Sequence, residues 1–415
     1  MHWITVLLIL VITAFAFFLL RRQGLISGFV PIVSSALLLI LTFGTRLYVL
    51  DTTTLDYEWF LSPWVQHFRD HGGFLGLAIP MGNYNVTYLY FLALFSYIPL
   101  PDLHLIKLLS FFFDVILAYY VMRIVGLSTK SAARKRIAFF LVLLLPTVFL
   151  NSAYWGQCES IYSAFTVMSF YYVLKDRPIL SLAALAVALS FKLQAVFLFP
   201  LYLIFLYRKK IRRRHLPVFP GVYLLTILPA VIAGRPFWDT LLFYIHRGGN
   251  DGLNYNSPSI FAWNQGTNYN PTLAAIGIIA AFGLVGLVYL LVFIRRRTKT
   301  RLTEDYLILA LIFVVGVPLF LPHMHDRYFY LADLFAIALG LSRIRFIFAI
   351  PLTQFASLLG YGIYLRHWAT PPLLLPFFGT SPMRYGTIAL LILLVSLMVD
   401  FFFRRKKAKN YPAIK

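Results

Sequence analysis

Six stretches of the chain gather side chains able to hold, donate or remove a proton. In the first, Asp56-Tyr57-Glu58, an acid opens a run whose apolar residues, Phe60 and Trp64 among them, fall at helical spacing. A carboxylate there is either a helix cap favoured by the helix dipole or a general base, with Glu58 as a second carboxylate beside it. Asn83 and Tyr84 lie in a Gly- and Asn-rich turn, which is turn chemistry or a set of polar contacts for a ligand. Asn151, Trp155, Gln157 and Glu159 are packed into nine residues; aromatic faces beside amides and a carboxylate suit sugar hydroxyls, although an interfacial aromatic belt gives a similar pattern. Lys192 and Gln194 interrupt a long apolar stretch. An ammonium inside a membrane is costly unless paired, and a phosphate is a natural partner; snorkelling to the surface is the plainer account. His323-Met324-His325-Asp326-Arg327 could hold a metal. Without a second ligand cluster, two imidazoles and a guanidinium beside a phosphate is the preferred reading. Asn254, Trp263 and Asn264, with Asn250, Asp251 and Gln265 nearby, make the last, amide-rich stretch.

These segments must be positioned by a membrane. Of 415 residues 60% are hydrophobic, and mean hydropathy is +0.78, against roughly half apolar residues in a soluble chain. Apolar runs at 4–20, 27–44, 103–125, 137–150, 158–174, 179–191, 194–207, 216–233, 272–294, 306–321, 327–341, 344–364 and 385–403 predict about 13 transmembrane helices (12–14) in an all-α, polytopic protein. The first run lacks the leading charge and cleavage site of a signal peptide and reads as a retained span. The whole chain, 1–415, reads as one membrane-embedded domain. Val86–Ile98 is too short to cross about 30 Å of hydrocarbon and ends at Pro99, so it reads as an interfacial helix of the first outer loop. Splitting 179–207 into two short helices that meet on the outer side implies a pocket, because irregular backbone at membrane depth needs protein or a wet cavity around it.

The formal net charge of +22 does not point to nucleic acid. The basic residues sit in clusters between apolar runs, as in loops held against anionic lipid. An outside N-terminus and a cytoplasmic C-terminus place 28 of the 37 Lys and Arg residues inside. Most acids, and the long loops 45–102, 234–271 and 365–384, then fall outside. That gathering of acids and polar aromatics at one face is the layout of an enzyme working at the outer membrane surface. Cys158 is the single cysteine, which excludes an intrachain disulfide and a cysteine metal cluster.

Taken in order, these segments resemble the GT-C superfamily, integral-membrane glycosyltransferases that use polyprenyl-phosphate-linked sugars. The likeness is to the branch of dolichyl-phosphate-glucose-dependent glucosyltransferases and their bacterial, mannosyltransferase-like relatives. Asp56-Tyr57-Glu58 matches the acidic start of that branch's first outer loop. Tyr84 matches the tyrosine of a Tyr-Pro-Pro segment, with Asn85 and Val86 in place of both prolines. Ser190-Phe191-Lys192 and Gln194 match a Gly-Phe-Lys-Gln-like segment, and His323 to Arg327 match a His-x-His-Glu-Lys-like one. Trp155 to Glu159 looks like the bacterial members. The resemblance implies a GT-C-like catalytic module over 1–330 with outer loops 45–102 and 234–271, and variable C-terminal helices over 331–415.

It further implies an inverting hexosyl transfer from a polyprenyl-phosphate sugar to a glycan or glycolipid. Asp56 would be the base, with Glu58 beside it. Lys192, His323, His325 and Arg327 would stand at the donor phosphate. Asn83, Tyr84, Asn151, Trp155, Gln157, Glu159, Gln194, Asn254, Trp263 and Asn264 would contact sugar or acceptor. No metal and no cofactor is expected, and the compact loops favour a bacterial plasma membrane with the site facing outward. Two rivals remain. A lipid-linked-sugar flippase would need a polar path through both leaflets, where the cytoplasmic loops offer little but basic residues. A polysaccharide ligase or polymerase should pair arginines in outer loops, and Arg235 with Arg247 is the one such pair.

Overall fold

The computed structural model describes residues 3–245, 252–264, 269–294, 303–373 and 382–403. Arg247, Asn250, Asp251, Gln265, the basic cluster 295–301, residues 374–381 of loop 365–384 and the tail from Arg404 lie outside them. Each predicted apolar run is helical. Among the described residues eight helices are long and apolar enough to cross a membrane, from Trp3–Arg22 and Phe29–Tyr48 to Ile344–Trp368 and Pro382–Phe403. A ninth is reached if the bent pair Ala132–Leu143 and Pro146–Trp155 is one span. The remaining predicted runs are the shorter helices Glu159–Leu174, Pro178–Phe191, Leu193–Tyr207 and Tyr330–Ser342, which do not reach the length of a full span. The protein is an all-α, polytopic membrane protein.

Asp102–Ser128 and Thr303–Phe320 are the most enclosed spans, whereas Arg213–Ile232 and Pro271–Ile294 turn most of their apolar side chains outward, as lipid-facing helices must. The enclosed part holds a buried ion pair. Arg46 and Asp114 are fully buried and 3.0 Å apart, and Ser152 Oγ donates to the same Asp114 oxygen. A buried pair of this kind is costly to break and fixes which helices meet.

Several devices hold the polar segments in place. Lys107 of Asp102–Ser128 donates to the carbonyls of Val49, Leu50 and Thr52. These carbonyls follow directly on the end of Phe29–Tyr48, so the first loop leaves the bundle in a fixed direction. Thr53 and Thr54 then pair antiparallel with Thr370 and Ala369, beyond the end of Ile344–Trp368. The chain continues into a π-helical turn, Tyr57–Leu61, and the helix Ser62–Asp70. The expected short helix is present as Val86–Phe95, and its cap is Asn85, whose Oδ1 accepts from Val86 N at 2.8 Å. On the far side, Asn254 and Tyr255 pair in parallel with Met324 and His325. Two loops 70 residues apart in sequence are thereby zipped into one wall.

Candidate active site

A cavity of about 460 Å³ opens between these loops, within the range of small-ligand sites. Asp56 stands in its wall with one oxygen already oriented. Oδ2 accepts from Trp155 Nε1 at 2.9 Å and from Gln157 Nε2 at 2.7 Å. The Asp56 backbone N–H donates to the Tyr364 hydroxyl at 3.1 Å. Tyr364 stacks on Trp155 with ring centroids 4.1 Å apart, and Trp155 is itself fully buried. Asp56 opens the π-helical turn but makes no side-chain cap bond there, so its carboxylate belongs to the cavity and not to the helix end.

Arg327 is the cavity's guanidinium. It lies over the Trp155 ring at 5.0 Å, with Nε 3.1 Å from Glu159 Oε1 and Nη1 3.7 Å from Asp56 Oδ2. Glu159 in turn bonds Lys192 Nζ at 2.5 Å, and Lys192 sits over the Tyr84 ring. The Tyr84 hydroxyl donates to Gln157 Oε1 at 2.9 Å. Base candidate, guanidinium and ammonium thus belong to one connected network. Burial opposes the charge on Arg327, but Glu159, Asp56 and Asp326 outweigh it and hold the guanidinium charged. Burial, reinforced by Arg327, lowers His325 to about 3. Its imidazole is therefore held neutral near pH 7. Burial pushes Asp326 up to about 7, with Arg327 as the main opposing influence.

Of the residues singled out in sequence, the fold brings Asp56, Asn83, Tyr84, Gln157, Asn254, His325 and Arg327 to the cavity wall. Trp155, Glu159 and Lys192 stand directly behind it. Asn151 is one layer deeper, donating to the Tyr361 hydroxyl. The others lie elsewhere. Glu58 is exposed and takes a bond from Thr53 Oγ1. His323 turns away, its ring on the Gly252 carbonyl and stacked on Tyr269. Gln194 meets Tyr328, and neither Trp263 nor Asn264 lines the cavity.

Sequence reading passed over Tyr364, Asp326, Tyr255 and Asn256 as site residues, and all four line the cavity. Asp326 and Asn256 were visible as members of polar clusters. Tyr364 had only a faint signal, a second tyrosine three residues from Tyr361 on one helical face. Among the described residues no group of three or more His, Cys, Asp or Glu is placed to hold a metal ion.

The sequence model of glycosyltransferase family 87 matches residues 83–322, more than half of the chain. The chain belongs to glycosyltransferase family 87. No curated protein and no solved structure matches it. Membership makes the chain a membrane glycosyltransferase. The family-87 match takes in Asn83, Tyr84, Gln157, Glu159, Lys192 and Asn254. Asp56 precedes it and His325 to Arg327 follow it, and the fold returns both to the same cavity.

Proposed function

We propose that the protein transfers a hexose, with inversion, from a polyprenyl-phosphate donor to a glycan or glycolipid acceptor, and that Asp56 is the general base. The observation that carries this reading is the Asp56 carboxylate, fixed by Trp155 and Gln157 in the wall of the polar cavity beside Arg327. Asp56 removes the proton of the acceptor hydroxyl. That oxygen attacks the anomeric carbon from the face opposite the phosphate, the bond from that carbon to the phosphate oxygen breaks, and the electron pair leaves on the phosphate. The leaving group stays anionic and calls for charge stabilisation more than for a strong acid. Arg327 supplies the charge. His325 supplies a neutral hydrogen bond, and Lys192 acts through Glu159 and the Tyr84 ring.

The clustering of basic residues on one side supports a site on the outer face of a bacterial plasma membrane, with the N-terminus outside and the C-terminus in the cytoplasm. The decisive experiment offers a panel of short-chain polyprenyl-phosphate hexoses to the wild type and to Asp56→Asn in nanodiscs. Transfer is expected to fall about 10²–10⁴-fold in the variant with donor binding retained. Full activity in Asp56→Asn would remove the base assignment. Donor carried across vesicles without being consumed would make the protein a flippase.

A further inference from the structure

Three carboxylates crowd Arg327. Glu159 Oε1 is 3.1 Å from Nε, Asp326 Oδ1 is 3.5 Å from Nη1, and Asp56 Oδ2 is 3.7 Å from the same nitrogen. The second cation of the cluster, Lys192, is bound to Glu159. His325 on the same turn is held neutral near pH 7, and Tyr361 faces Asp326 from the helix Ala349–Trp368. Three carboxylates against two cations leave one negative charge in excess before any ligand arrives. A phosphodiester seated on Arg327 would add another at close range, and like charges so placed disfavour one another's ionised forms.

Two of the three carboxylates already have hydrogen-bonding or ionic partners. Asp56 takes bonds from Trp155 and Gln157, and Glu159 takes Lys192 and Arg327. Asp326 differs. Its residue is 4% exposed, and its Oδ1 is buried without a hydrogen bond, yet it stands in the cavity wall next to the guanidinium. One proton on this carboxyl removes the excess charge and turns an acceptor that would repel a phosphate into a donor that can bond it.

We propose that Asp326 is a phosphate-binding residue that acts in its protonated form, donating its carboxyl O–H to a phosphoryl oxygen of the lipid-linked donor beside Arg327. This role rests on the polyprenyl-phosphate reading given above. The proton stays on Asp326, and no covalent step is added. Burial, which pushes Asp326 up to about 7, makes the protonated form available in neutral water, and an arriving anion favours it further. The sign follows: donor affinity is full at lower pH and is lost as pH rises through and above neutrality.

The test measures binding of a short-chain polyprenyl-phosphate hexose between pH 6 and 9. The probe must be a phosphodiester, because a monoester titrates near pH 6 on its own account. The wild type is expected to weaken towards about tenfold per pH unit at the alkaline end, while Asp326→Asn, whose amide keeps a donor without a charge, binds with little pH dependence. A variant that weakens in parallel with the wild type overturns the proposal. So does a folded variant that binds at no pH. Calorimetry on the wild type alone, in buffers of different ionisation enthalpy at pH 8, gives a reading independent of the variant's folding: uptake of close to one proton supports the role, and no uptake overturns it. Binding without pH dependence sinks the role of Asp326 alone. Failure of the wild type to bind the phosphodiester at any pH sinks the polyprenyl-phosphate donor as well.

Discussion

Glu159 decides where Arg327 and Lys192 stand. Its Oε1 meets Lys192 at 2.5 Å and Arg327 at 3.1 Å while the residue is only 2% exposed. Glu159→Gln leaves two buried cations without their shared anion, and removing one partner of a buried pair costs about 3–5 kcal/mol. A lowered melting temperature and lost transfer are both expected. Adding Lys192→Met removes one stranded cation and should restore part of the melting temperature. Transfer should stay low, because Arg327 has still lost its anchor. Recovery of transfer together with stability would mean that Glu159 serves packing alone. His325 makes a separate claim. With its folded value near 3 against about 6.5 unfolded, the unfolded chain binds the extra proton between those values. The stability it contributes is therefore present above about pH 6.5 and is lost as pH falls. Between pH 7 and 5 the wild type should lose up to about 2 kcal/mol more than His325→Gln, read from thermal unfolding in detergent. Which carboxylate would be the oriented one was only half legible at this scale. The sequence marks both Asp56 and Glu58, but the bonds from Trp155 and Gln157 that single out Asp56 span about a hundred residues.

At the scale of elements, the helices were legible because a bilayer demands long apolar runs, and such runs can be read in any order. What joins them was not. The pairing of Asn254 and Tyr255 with Met324 and His325 has no local pattern, since two-residue strands bury too little to leave an alternation. Its position depends instead on close approach to the helix Ala349–Trp368. A Cβ at Gly360 of that helix would lie 2.8 Å from the Asn256 carbonyl oxygen and 3.0 Å from that of Asp326. Both contacts are backbone, which cannot swing aside. Gly360→Ala should raise the helix's intrinsic preference by about 1 kcal/mol and still impair the enzyme, because the wall carrying Asn256, His325, Asp326 and Arg327 must move outward. Transfer is expected to fall at least about tenfold, since displacements of about an ångström cost this much or more, with expression and melting little changed. Wild-type activity in Gly360→Ala would show that the wall tolerates the shift.

At the scale of the molecule, a chemically asymmetric chain folds around one cavity at one of its faces. The first loop, the turn after Thr303–Phe320 and the end of Ile344–Trp368 meet there, through the pairing of Thr53–Thr54 with Ala369–Thr370 and the reach of Tyr364 to Asp56. The segment beyond residue 330 carries no motif, yet it supplies this tyrosine, because a residue that props up a site needs only the right place on a helix face. The proposed orientation, which rests on the charge pattern, puts that face outside, and the lone cysteine makes it testable. Cys158 is buried, so Cys158→Ser gives a background free of thiols. In that background Glu58→Cys, on the exposed flank of the first loop, should react with a membrane-impermeant maleimide in intact cells. Lys209→Cys, at the exposed position of the basic turn 208–210, should react only after the cells are opened. The reverse pattern would put the cavity in the cytoplasm. A cytoplasmic cavity would remove the main reason for a lipid-anchored donor, since soluble nucleotide sugars would then reach Asp56 directly. The labelling experiment therefore bears on the donor class as well as on the topology.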